Sequence, residues 1–236
     1  MRTTLIPAHT RGYIQEDWLT AWYSFSFSGW RDPERMQFGA LRVLNDDIIA
    51  PRNGFGWHPH SDMEILTIVL AGILSHTDST GGSGELRPGD VQAMTAGKGI
   101  MHAEFNKGDE EVRSLQLWFY PRAISLEPHY QQKHLPTLPG TLRVLASATG
   151  EADSLILAQD LRVVRARVLP EKPLEYTPIA GNIQYCFLIE GAGTVAGQEA
   201  SRRDAVTVED AGNTFALVAS HAEMDCLILD VPKSSV

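Results

Sequence analysis

GFGWHPHSDMEILTIVLAG, residues 54–72, sets two histidines around a proline just ahead of a β-rich apolar run. In an extended strand, residues i and i+2 point to the same face, about 6.5–7 Å apart along the chain. His58 and His60 therefore present both imidazoles to one side. Side chains of that length can converge on one cation at metal–nitrogen distances of about 2.0–2.1 Å. Pro59 has no N–H to give to a ladder, which predicts an edge strand or the first residues of one. Taken alone, two histidines at this spacing also fit an ordinary surface strand.

A second pair changes the weighting. Residues 102–106 read HAEFN, so His102 and Glu104 repeat the period-2 spacing, directly after the glycine turn TAGKG at 95–99. Two inward-pointing pairs on neighbouring strands supply three imidazoles and one carboxylate. That donor set suits a divalent transition ion rather than Mg²⁺ or Ca²⁺, which prefer oxygen shells. Alternation also lets Glu64 point inward, and we expect it to support the site rather than ligate. His76 is expected to be structural, near a hairpin, and His9, His129 and His134 to be solvated. Phe55, Trp57, Met63 and Phe105 are expected to be core residues, because alternation turns the odd-numbered strand neighbours away from the metal face.

The rest of the chain has little helical periodicity. Short β-rich runs such as VQAMTAG, VRSLQLWFY, LRVVRARVLP, IQYCFLIEG and DCLILDV are separated by Gly, Pro, Asn or Asp, which predicts an all-β sandwich or barrel. One short helix is expected after Pro128, over PHYQQKHLP. A weak internal repeat aligns Gly72 with Gly191 and suggests two barrels. Counted from Gly191 and Asp204, the positions matching the four donors are Thr177, Ile179, Ala216 and Val218, none a good ligand, and His221 stands alone.

With 236 residues the chain is long enough to bury a large core without disulfides. A net charge of −9 argues against a nucleic-acid partner, and no basic amphipathic stretch suggests a membrane surface. The first residues lack a signal-peptide core, and no run is long and apolar enough to span a bilayer. Cys186 and Cys226 lie in apolar runs and are expected to be buried, reduced thiols of a cytoplasmic protein.

The segments HPHSDMEILTIVLAG and LRPGDVQAMTAGKGIMHAEFN, with WLTAWYSFSFSGWRDP and FGALRVLNDDII before them, resemble the pirin branch of the cupin superfamily. The resemblance implies a bicupin fold of two β-barrel or jelly-roll domains with few short helices. Residues 1–135 would form the metal-binding barrel, and residues 136–236 a second barrel lacking ligands. It implies that His58, His60, His102 and Glu104 hold the metal, although the general cupin pattern takes its acid from the first motif, where Glu64 stands. Fe(II) is the expected ion, with Cu, Ni, Mn, Co and Zn open. The implied activity is that of the bacterial pirin-like quercetin 2,3-dioxygenases: an oxidoreductase that cleaves a flavonol with O₂ and releases carbon monoxide, with Glu104 taking the hydroxyl proton. The same resemblance leaves a second class open, a non-catalytic metal-binding regulator that contacts another protein.

Overall fold

The structure, a computed structural model, describes residues 1–234. Strands dominate it, and the only helical turns among the described residues are two 3₁₀ segments, Ala8–Thr10 and Glu151–Asp153. The strands form four antiparallel sheets, two of seven strands and two of four. Each compact unit is built on one four-stranded sheet and most or all of one seven-stranded sheet, the bicupin architecture expected from the short-strand pattern. None of the described helices is long and apolar enough to cross a membrane.

The expected division at 135/136 is not a single cut. One unit comprises Arg11–Pro136 with Leu155–Gln159; the other comprises Met1–Thr10, Thr137–Ser154 and Asp160–Ser234. The first strand, Arg2–Ile6, pairs with Ala205–Glu209 rather than with its sequence neighbours. The reason is local: Ala205–Glu209 would otherwise be a bare sheet edge with unpaired N–H and C=O groups, and Arg2–Ile6 covers it.

The segment after Pro128 is not a helix. His129–His134 is a strand antiparallel to Asp90–Thr95. Six residues are too few to nucleate a stable isolated helix, and the open edge at Asp90–Thr95 satisfies their backbone groups. The Gln132 side chain adds a bond to the Glu85 carbonyl at 2.8 Å.

The aligned glycines do the same work in both units. Gly72 follows the Glu64–Ala71 strand at φ +76°, and Gly191 follows the Asn182–Glu190 strand at φ +82°. A Cβ on either would lie 2.5 or 2.4 Å from a backbone carbonyl of the adjoining segment, Glu111 or Glu223. A side chain is excluded at both by conformation and by space.

The two interiors differ. The C-terminal unit has one continuous apolar core, in which Val164, Cys186, Leu188, Val206, Leu217, Cys226 and Ile228 are all buried. Both cysteines are free and fully buried, and burial pushes both thiols up. In the N-terminal unit one buried apolar cluster gathers around Ile49, Val69, Leu74 and Leu86, and another around Ile65, Met94 and Ile100. The register places Tyr23, Asn45, Gln116, Thr67, Gln92 and Gln132 side by side in one row across six strands. A polar belt through a barrel costs stability, about 1–3 kcal/mol for each buried group left without a partner. Such a cost points to a site.

Candidate metal centre

The Gly54–His60 strand lies at the edge of the four-stranded sheet, bonded only to Ile100–Phe105, as Pro59 requires. The antiparallel register sets His102 opposite His58 and Ile100 opposite His60. One ring nitrogen from each of His58, His60 and His102 lies within 4.8 Å of the others. The two pairs read from the sequence thus converge from neighbouring strands.

The nitrogens are sorted for ligation. His58 Nδ1 donates to the Gly56 carbonyl at 2.7 Å, which leaves Nε2 with its lone pair. His60 Nε2 and His102 Nε2 face each other at 2.9 Å. Two ligands at right angles around an ion with metal–nitrogen bonds of about 2.0–2.1 Å sit about 2.9 Å apart. Burial first, and then the neighbouring imidazoles, lowers His60 to about 4 and His102 to about 2. Both are neutral near pH 7, the form a metal needs. The donor set and its spacing fit a divalent transition ion.

Glu104 shares the inward face of its strand with His102 and is only 2% exposed. Its carboxylate is not one of the groups within 4.8 Å of one another; Oε2 instead accepts a hydrogen bond from Gln116 Nε2 at 2.8 Å. Gln116 is in turn held by the Trp118 indole N–H, which donates to its Oε1 at 3.0 Å. Burial pushes the Glu104 carboxyl up to about 7, against the hydrogen bonds from Gln116 and Thr67. Asp47, buried nearby, is pushed well above the usual carboxylate range by burial and then by Asp46 and Glu104. A cavity of about 40 Å³ is lined by His58, Glu104, Gln116, Asn45, Asp47 and Phe55, among others.

Glu64 is fully buried but sits on the opposite face of its strand from Ile65 and Thr67, which face the site. Its Oε2 accepts from the Thr95 hydroxyl at 2.8 Å and from the Ala158 N–H at 3.0 Å. The break at residues 61–63 resets the alternation, so counting four residues on from His60 does not carry over. Its role is structural. His76 lies mid-strand, 2% exposed, stacked on Tyr130 at 4.9 Å and tilted against His102 at 5.4 Å.

The aromatic expectations divide. Met63 packs against the Ile65 cluster. Trp57 and Phe105 are 56% and 38% exposed, on the outer face of the histidine strands rather than in the core. Phe55 turns inward because a bulge between His58 and Phe55 inserts one residue and shifts the register. It packs edge-on against Trp18 at 5.1 Å and lines the cavity with His58. Gln116 and Trp118 were not singled out from the sequence. Their signal is a glutamine at an inward position of the apolar run VRSLQLWFY, where a buried amide needs partners.

Residues 7–119 match the family model described as Pirin, and residues 144–231 match the Quercetinase C-terminal cupin domain. The chain is 36% identical over 231 residues to the quercetin 2,3-dioxygenase of Escherichia coli K12, covering 97% of this chain and 98% of that one. A pirin-like protein of Caulobacter vibrioides is 38% identical over 209 residues, covering 86% and 89%. The crystal structure of the bacterial pirin YhhW of E. coli in complex with nickel(II) superposes with a TM-score of 0.92 at 33% identity, covering 98% and 99%. These matches run through both barrels, and the chain belongs to the pirin family, two cupin domains of which the first carries the histidine cluster.

Proposed function

We propose that the protein is a metal-dependent dioxygenase that cleaves a flavonol such as quercetin with O₂ and releases carbon monoxide. His58, His60, His102 and Glu104 would hold one divalent transition ion. The observation that carries this reading is the convergence of three imidazoles, with a buried carboxyl held near 7 on the strand that carries His102. Fe(II) is the ion expected from the donor set, and nickel(II), bound in the E. coli relative, is the alternative to be tested first. When bound, such an ion supplies a Lewis acid with open positions and, if redox-active, chemistry toward dioxygen.

The chain's own residues set up the rest. Gln116 occupies Oε2 of Glu104, so the other carboxylate oxygen takes the proton of the flavonol 3-hydroxyl. A carboxyl near 7 is matched to that exchange at neutral pH. Loss of the proton makes the flavonol an electron-rich enolate that reacts with O₂ at C2 and C4; the C2–C3 and C3–C4 bonds break, C3 leaves with its oxygen as carbon monoxide, and both atoms of O₂ stay in the ester product. Phe27, Phe55 and Trp118 give the approach apolar walls that keep water from competing. Oxygen uptake with carbon monoxide release from quercetin by the metal-loaded protein tests the reading; bound metal without either product would refute it.

One observation favours the regulatory alternative. Trp57, Met101 and Phe105, 56%, 43% and 38% exposed, sit on the outer face of the strands that carry the histidines, where a protein partner could sense the ion. Partner binding that depends on metal, without flavonol turnover, would select that reading.

A further inference from the structure

Beside the metal centre lies an open groove of about 420 Å³ that none of the four donor residues enters. That volume is within the range of small-molecule sites. Its walls are Phe27, Trp30, Met36, Met63 and Trp118, with Ser26 and Ser28. Two of the walls connect it to the centre. Trp118 packs its other contacts onto His60 at 4.8 Å and 84°, and Phe27, edge-on to Trp118 at 5.3 Å, also lines the cavity that holds His58 and Glu104.

The groove is built in advance. Its loop is closed by paired Phe27 and Trp30 backbone bonds of 3.1 and 3.0 Å, and the Ser26 hydroxyl is bonded to the Asp32 backbone at 2.8 Å. Trp30 is seated on Gly12, where an added Cβ would come within 2.3 Å of the indole. A preformed aromatic slot binds a flat ring without the cost of ordering itself.

Its charge is the second observation. The chain carries a net charge of −9, yet the lining holds Arg31 and Arg42 and no carboxylate. Arg42 Nη1 donates to the Ser26 carbonyl at 2.9 Å, which leaves its remaining N–H groups for a ligand. Arg31 makes no ion pair among the described residues, and its neighbour Asp32 is paired with Arg35 at 3.5 Å. Two cations and several aromatic rings lining one groove of an acidic protein select an anion carried on a planar ring.

We propose that this groove holds the end of the substrate distant from the reacting carbon, and that Arg31 and Arg42 select a ring bearing an acidic oxygen there, a phenolate, carboxylate or sulfonate. The proposal rests on the oxygenase reading only for what happens at the other end.

The test uses two probes with the metal-loaded protein, 3-hydroxyflavone and its 4′-carboxylate, binding being followed anaerobically by quenching of tryptophan fluorescence. The carboxylate is expected to bind about five- to tenfold more tightly than the parent. In Arg31→Ala that ratio falls to about twofold or less, and in Arg31→Glu it inverts. Any general loss from the substitution cancels in the ratio. Equal binding of both probes by the unaltered protein, no binding of either, or a preference that survives Arg31→Glu would overturn the proposal. Turnover is read separately: a preference without flavonol cleavage keeps the groove and sinks the oxygenase, and cleavage without a preference does the reverse.

Discussion

Glu104 and Gln116 carry the consequences that can be read one residue at a time. A carboxyl whose folded pKa is raised binds more protons folded than unfolded, so its contribution to stability falls as pH rises from the unfolded value, 4.5, toward about 7. His60 and His102, lowered in the fold, act in the opposite sense below 6.5, so a single stability curve mixes the two. Comparing metal-free wild type with Glu104→Gln separates them. The stability of the variant relative to wild type is expected to rise by ~3 kcal/mol between pH 4.5 and 7, measured by urea unfolding at each pH. A pH-independent difference would show that the carboxyl is not held in its neutral form. Gln116→Leu removes the donor to Glu104 and the acceptor for Trp118. It is expected to weaken metal binding by about 10–100-fold, as loss of an outer partner of a ligand does, while far-ultraviolet circular dichroism stays unchanged. Titration with the metal would show it.

The elements most open to reading from sequence were the strands with strong local chemistry. HPH and HAE announce both the period and the shared face, and the register His102 opposite His58 follows from pairing those strands. The glycine equivalence was legible too, as Gly72 and Gly191 show the same positive φ and the same close backbone approach. What stayed hidden was set by contacts distant in sequence. The bulge that turns Phe55 inward, the edge that makes His129–His134 a strand, and the Ala158 N–H that holds Glu64 outward all depend on which backbone lies alongside. A propensity has no access to that. At this scale Gly72→Ala and Gly191→Ala are expected to destabilise their units by more than ~2 kcal/mol each, since both a strained φ and a backbone clash are imposed. Unfolding transitions of the two variants would check it, and a cost below that of an ordinary surface substitution would contradict the close approach.

At the scale of the molecule, the two barrels divide the work by the content of their cores. The second holds one large apolar cluster around Leu188, and Leu188→Ala in it should cost about 2–5 kcal/mol by leaving a cavity. The folded fraction should still bind metal in full, because its donors all lie in the first unit; metal content per folded chain after gel filtration reads this directly. The first barrel carries a polar belt, and the sequence betrays it only in scattered places, Asn45, Thr67, Gln92 and Gln116 within otherwise apolar strands. Those residues become a row only once six strands are aligned.

The central claim is that four side chains from two strands share one cation. Elemental analysis of purified wild type, His58→Ala and Glu104→Ala, each verified as folded by circular dichroism, addresses it most directly. One divalent transition ion per wild-type chain and a loss of most of it in both variants are expected. Full metal content in the folded variants would contradict it.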